Sequence, residues 1–265
     1  MNASLFGVRS LLFLPASNPR AIAKARTAGA DMVVLDLEDA VKPADKEAAR
    51  AAAVEACAAP WATAVAIRVN GEGTGWHAAD LEAVERSKAD LMVLPRVSSP
   101  ESIADRSGKP VLAMIETAAG VIAAPEIAKR TIGLIAGTND LRAEIGIPTG
   151  EDRSAIATAL QWIVLAARAA AVPAFDGVFN ALRDEAGLLA QASEGRALGF
   201  TGKSLIHPDQ IVPCHAAFAP SDSEIDRARR LVEAFDGGAE RFEDEMIERM
   251  HVEASRRLLE RVTSF

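Results

Sequence analysis

The chain has 265 residues, 49% of them hydrophobic, which is enough core material for one large α/β domain or two small ones. A net charge of −8 argues against a nucleic-acid partner and gives anionic ligands no long-range attraction, so any anion site has to be built locally. Cys57 and Cys214 form neither a disulfide framework nor a metal cluster, the first residues lack the pattern of a signal peptide, and the weakly polar stretch 154–167 is too short to cross a bilayer, so a cytoplasmic protein without a membrane partner is expected.

Residues 9–15 read as a first strand. A helix is predicted over 19–28, with Asn18 as N-cap, Pro19 in its first turn and Gly29 as its stop. An apolar strand over 32–37, interrupted by Asp36, ends in Glu38-Asp39, and Asp45 opens the helix that follows. Strands over 64–69, carrying Arg68 and ending on Asn70-Gly71, and over 91–94, ending in Pro95-Arg96, continue the alternation. The next two, 111–115 and 132–136, stop on Glu116-Thr117 and on Gly137-Thr138-Asn139-Asp140. The longest helical segment is 153–171, and strands over 174–178, with Asp176, and 202–206, before His207-Pro208, flank a helix over 184–198.

Buried-type strands alternating with helices call for an all-parallel sheet covered on both faces, and eight of them close a (β/α)8 TIM barrel, whose active sites sit at the strand C-termini. An open doubly wound sheet is the rival, weakened because no G-x-G-x-x-G loop follows the first strand. Beyond Pro220 the pattern changes to two charged helices, 222–235 and 243–261, joined by Asp236-Gly237-Gly238. The predicted organisation is therefore a barrel over 1–219 and a C-terminal helical extension over 220–265, packed on the barrel or on another subunit.

The predicted mouth gathers Arg9, Asp36, Glu38, Asp39, Arg68, Asn70, Arg96, Glu116, Asp140, Asp176 and His207. Glu116 and Asp140 end neighbouring strands, and two converging carboxylates require a cation or a shared proton; oxygen-only ligation suits Mg²⁺ completed by water and substrate. The alternative is that Glu116 caps a helix and Asp140 opens a turn. Arg68, inside an apolar strand, must meet carboxylates or an anionic ligand. One reading makes it a structural ion pair with Glu38 or Asp36; the preferred one makes its planar fork a grip for a substrate carboxylate. His207 reads as closing the last strand, Lys203 as a weak echo of a phosphate loop, and Lys24 and Arg20 as solvated charges.

Seven segments carry a resemblance along nearly the whole chain: RSLLFLP (9–15), GADMVVLDLEDAV (29–41), IRVNG (67–71), VLPRV (93–97), MIETAAG (114–120), GTNDL (137–141) and LGFTGKSLIHPDQ (198–210). In order and spacing they resemble the citrate lyase β-subunit family, which includes malyl-CoA and citramalyl-CoA lyases. The resemblance implies a TIM barrel, Mg²⁺ dependence, and cleavage of a 3-hydroxyacyl thioester on CoA or a carrier. The products would be an acyl thioester and a 2-oxo acid such as oxaloacetate, pyruvate or glyoxylate. It implies Glu116 and Asp140 as metal ligands, Glu116 also facing substrate, and Arg68 binding the oxo-acid carboxylate. Glu38 and Asp39 would be catalytic behind them, Arg9 and Lys24 would face the CoA side, and the assembly would be a homotrimer.

One segment departs from the family. Thioester-cleaving relatives resemble one another in a Met-Ile-Asp-x-Pro stretch whose aspartate reaches a neighbouring subunit's site as acid/base, whereas this chain has Met246-Ile247-Glu248-Arg249-Met250. Glu248 is then the candidate for that proton transfer, although a shift of about 1 Å can cost about 10²-fold in rate. A thioesterase, an aldolase acting on a free 2-oxo acid, and a binding subunit that does not turn over are the alternatives.

Overall fold

The computed structural model describes residues 5–103, 108–148 and 152–262. Eight parallel strands close a barrel in chain order: β1 (Ser10–Pro15), β2 (Met32–Asp36), β3 (Ala64–Arg68), β4 (Leu91–Leu94), β5 (Val111–Ile115), β6 (Gly133–Ala136), β7 (Ala174–Asp176) and β8 (Gly202–Leu205). Lys203 of β8 lies opposite Ser10 of β1, which closes the ring. Helices α1 (Pro19–Ala25), α2 (Lys46–Ala58), α3 (His77–Arg86), α4 (Ala118–Ala128), α5 (Thr138–Glu144), α6 (Ala157–Ala169), α7 (Glu185–Leu198) and α8 (Ile211–Phe218) surround it. The fold is the expected (β/α)8 TIM barrel.

Strand periodicity divides the apolar residues into two cores. Phe13, Met32, Val34, Ala66, Leu112, Met114 and Phe175 fill the barrel. Leu12, Val33, Leu35, Ile67, Ala113 and Leu205, on the alternate positions, pack outward against the helices. Asp36, Arg68 and Glu116 fall on the inward rows of β2, β3 and β5, so the chain changes from apolar filling to charge at the strand C-termini.

Local capping follows the sequence closely. The Asn18 side chain accepts the Ala21 N–H at the start of α1, Asp184 accepts the Gly187 N–H at the start of α7, and Gly199, at φ 101°, ends α7 in the left-handed region that favours glycine. The first helix is shorter than predicted, ending at Ala25. The segment predicted as one helix from 153 starts as a 3-10 turn, Arg153–Ile156, capped by Asp152, and becomes α6 only at Ala157.

The larger correction lies in the C-terminal extension. Its first helix, α9 (Asp222–Ala234), is entered through a capping box of Ser221 and Glu224. The helix predicted over 243–261 does not begin there: a hairpin of β9 (Glu240–Phe242) and β10 (Glu245–Ile247) intervenes, and α10 runs over Arg249–Val262. Glu243 makes the hairpin turn with φ 55°. Ile247 is buried beside Leu231 and Val252 in a small separate core, while Met246 points the other way and is exposed, the period-two pattern of a strand. No helix among the described residues is long and apolar enough to cross a membrane.

Candidate active site

Asp36 and Arg68 are the last residues of β2 and β3 and lie opposite one another in the sheet. Arg68 Nε and Nη2 donate to Asp36 Oδ1 and Oδ2 at 2.7 and 2.6 Å, a bidentate contact between buried side chains. Asp36 also accepts the backbone N–H groups of Glu38 (2.9 Å) and Ala40 (3.1 Å), which folds the next loop around the pair. The guanidinium lies 5.4 Å from the Phe13 ring, and its Nη1 has a long hydrogen bond to Met114 Sδ at 3.7 Å. Nη1 is also 2.7 Å from Glu38 Oε2, an ion-pair contact without hydrogen-bond alignment, so that buried oxygen has no hydrogen-bond partner. Of the two sequence alternatives the structure shows the ion pair, and with both candidate partners: Asp36 holds one edge of the fork, and Nη1 is turned toward Glu38 and Met114 beside the cavity.

Glu116 follows β5 and is 2% exposed. Its Oε1 accepts the Arg96 N–H at 2.6 Å, and Arg96 takes a left-handed φ of 52° to present that N–H. Gly137, between β6 and α5, leaves the room that Glu116 occupies: a Cβ there would overlap Glu116 Cβ and Oε2. Asp140 is not at a strand end, as the sequence suggested, but in the first turn of α5, with Oδ1 3.4 Å from Arg96 Nη1.

These residues border a cavity of about 410 Å³ whose wall includes Phe13, Asp36, Asp39, Arg68, Met114, Glu116, Asn139, Asp140, Asn180 and Ser204. Burial pushes the Glu38 carboxyl up to about 8; Arg68 opposes the shift, and the charges of Glu116, Asp39 and Asp36 add to it. Burial likewise pushes Glu116 up to about 7; the Arg96 N–H opposes this and the Asp140 charge reinforces it. Both shifts are led by removal of the carboxyl from water, with neighbouring carboxylates adding less, and a bound cation would favour the charged forms that burial disfavours. Among the described residues no three His, Cys, Asp or Glu side chains form a ready-made metal cluster. Glu116 and Asp140 with water and substrate are nevertheless the donor set that Mg²⁺ accepts, since it is usually held by one or two carboxylates and keeps part of its hydration.

Several expected site residues lie elsewhere. Arg9 precedes β1 at the opposite, N-terminal end of the barrel, where its Nε and Nη2 donate to Asp31 at 3.0 and 3.1 Å; this geometry removes it from the CoA side of the mouth. Lys24 is exposed in the last turn of α1 and is not in the cavity wall. Asp176 faces the helices rather than the barrel, paired with Arg153 and Lys203, which also accounts for Lys203 without a phosphate. Asn70 is turned outward to Lys46 and Asp80. His207 caps a short turn by accepting the Asp209 N–H, in line with its structural reading. Glu248 is exposed before α10, its N–H donating to His251 Nδ1, and it does not line the cavity of its own chain. Sequence reasoning did not single out Ser204 or the pair Asn139 and Asn180, linked at 2.9 Å. Ser204 was detectable only as the inward neighbour of Lys203.

A closed eight-stranded barrel with a buried arginine fork and carboxylates around a cavity at the strand C-termini defines the class: a TIM barrel with an enzyme-type pocket. The chain belongs to the HpcH/HpaI aldolase/citrate lyase family, whose signature matches residues 9–208. It is 40% identical over 265 residues to a (3S)-malyl-CoA thioesterase of Cereibacter sphaeroides, covering 95% of this chain and 93% of that protein. The structure superposes with a TM-score of 0.88 on CitE of Mycobacterium tuberculosis solved with magnesium, acetoacetate and coenzyme A, at 33% identity and covering 98% of this chain and all of that one. The citrate lyase β-subunit from Mycobacterium tuberculosis, solved with oxaloacetate and magnesium, gives 0.76 at 35% identity, covering 83% of this chain and all of that one.

Proposed function

We propose that the chain is a Mg²⁺-dependent carbon–carbon lyase, acting on a 3-hydroxyacyl thioester of malyl, citramalyl or citryl type to give an acyl thioester and a 2-oxo acid. The observation that carries this reading is the Arg68 guanidinium, locked on one edge by Asp36 and set in a cavity with Glu116 and Asp140, beside Glu38. Relatives solved with magnesium, oxaloacetate or coenzyme A support the choice of ligands.

Glu116 and Asp140 would hold the cation, which when bound polarises the substrate oxygens. Arg68 takes the carboxylate of the oxo-acid portion and offsets charge that grows there during cleavage. Glu38, buried and 2.7 Å from Arg68 Nη1, is the carboxylate we place to remove the hydroxyl proton and return it in the reverse direction. Asp39 borders the same cavity. The departing thioester enolate needs a proton, and Glu248 supplies it only if it comes from another subunit; a homotrimer in which the 220–265 extension covers a neighbour's 1–219 barrel meets that need. Met246 and Met250, exposed on either side of Glu248, give such a contact apolar surface. A cytoplasmic location, where CoA thioesters are made and used, fits this assignment.

A second reading is favoured by the 40% identity to a malyl-CoA thioesterase: the same site would hydrolyse the thioester and leave the carbon skeleton whole. Incubation with (3S)-malyl-CoA and Mg²⁺ separates the possibilities. Glyoxylate with acetyl-CoA identifies the lyase, malate with free CoA identifies the thioesterase, and binding without either product identifies a subunit that does not turn over.

A further inference from the structure

Behind the barrel wall, outside the cavity, a fully connected polar chain links the loops that carry the site. Lys46, at the start of α2, is only 6% exposed. Its Nζ donates to the carbonyl oxygens of Leu37 (2.8 Å) and Glu38 (2.6 Å) and to Asn70 Oδ1 (2.6 Å), which uses all three of its protons. Asn70 in turn donates from its side chain and its backbone N–H to Asp80 Oδ2, at 2.6 and 2.9 Å. Asp80 Oδ1 accepts Arg50 Nε at 2.5 Å, and Arg50 sits one turn beyond Lys46 on α2. His77 Nδ1 meets the Asn70 carbonyl at 2.7 Å.

Burying an ammonium is costly unless its donors are matched, and an apolar residue would pin α2 to the barrel at lower cost. The partners here are particular: two of the three are the carbonyls of Leu37 and Glu38, and the third is two residues beyond Arg68. We propose that Lys46 is a positioning residue that holds the Glu38 main chain against Arg68 and so sets the geometry of the oxo-acid site. This rests on the assignment of Arg68 and Glu38 to substrate made above. The carboxylates assigned to Mg²⁺ stand just after β5 and on α5, outside this chain of contacts.

The test is calorimetric titration of the full-length protein with Mg²⁺ alone, then with oxaloacetate at saturating Mg²⁺, together with thermal unfolding. In Lys46→Met, oxaloacetate affinity is expected to fall about tenfold or more, a displacement effect of the kind that misplaced site residues produce. Mg²⁺ affinity should change less, within about twofold, because the Lys46 Nζ hydrogen bonds go to Leu37, Glu38 and Asn70 and not to Glu116 or Asp140. Lys46→Arg, which keeps donors for the carbonyls, should recover part of the loss. Asp80→Asn, which weakens the Asn70 link and the Arg50 pair but leaves Lys46 on the Leu37 and Glu38 carbonyls, should show the same split at smaller size, and it answers the question should Lys46→Met not fold. Unchanged oxaloacetate affinity in folded Lys46→Met overturns the proposal. So does a loss of stability in both variants with Mg²⁺ and oxaloacetate affinity falling together. Wild-type protein that binds Mg²⁺ but no oxaloacetate overturns instead the substrate assignment of Arg68.

Discussion

Asp36 and Asp176 are both buried at the end of a barrel strand and both receive an arginine through two hydrogen bonds, yet one borders a cavity and the other is walled in. Asp176 takes Arg153 Nη1 and Nη2 at 2.9 and 2.5 Å and Lys203 Nζ at 3.0 Å, while Phe175 before it fills the barrel. Helix α7 closes over it so tightly that a Cβ at Gly195 would press on its carboxylate. Asp36 sits on the inward row of β2, and the cation it holds opens on solvent-sized space. The chemistry is the same and strand parity differs: facing outward, such a cluster becomes structure, and facing inward at the strand C-termini it becomes a site.

The comparison predicts opposite phenotypes. Asp176→Ala leaves Lys203 buried without its counter-charge and Arg153 with Glu194 alone, and should cost about 3–5 kcal/mol, read by denaturant unfolding, with any loss of ligand binding following the loss of fold. Arg68→Lys keeps a charge but not the fork, and should lower oxaloacetate affinity by about 1.5–3 kcal/mol while Mg²⁺ still binds in a calorimeter. A stability loss as large as that of Asp176→Ala would place Arg68 with the structural clusters and dissolve the contrast.

The pH response sharpens the same contrast. In metal-free protein the Glu38 carboxyl sits at about 8 against an ordinary 4.5, so the folded state holds its proton more tightly than the unfolded one. That contribution is present at pH below the ordinary value and is lost as pH rises toward about 8. Melting temperature should therefore slope downward over this range, and Glu38→Gln should flatten the slope; an unchanged slope in the variant would locate the titration elsewhere. The smallest effect is expected at Glu248. If its carboxylate serves a neighbouring mouth, Glu248→Asp raises thioester cleavage and Glu248→Gln lowers it, and equal rates in all three proteins would remove it from the chemistry.

Most of the barrel was legible because buried strands of similar length, separated by capped helices, have few other ways to close. Arg68, Glu38 and Glu116 were legible as well, since a charge inside or just after an apolar strand has to be answered nearby. Parity was not: Asp176 was placed at the mouth, whereas Phe175 takes the barrel side of β7 and Asp176 faces the helices. Arg9 was misplaced by polarity, because it opens its strand rather than ending it. The β9–β10 hairpin was hidden because Met246, Ile247 and Met250 satisfy a helical spacing as well as a strand one. Lys46 was not singled out, since its acceptors are backbone carbonyls that no residue pattern displays.

The central claim is that Arg68, Glu116 and Asp140 form one site in which cation and oxo acid bind together. Its most direct test is oxaloacetate titration with and without Mg²⁺ in wild type, Glu116→Gln and Asp140→Asn, each confirmed as folded. The account predicts that oxaloacetate binds wild type only with Mg²⁺, and that each substitution weakens Mg²⁺ and removes that dependence together with the binding. Oxaloacetate binding of equal strength without Mg²⁺, or unchanged Mg²⁺ affinity in both variants, would contradict it.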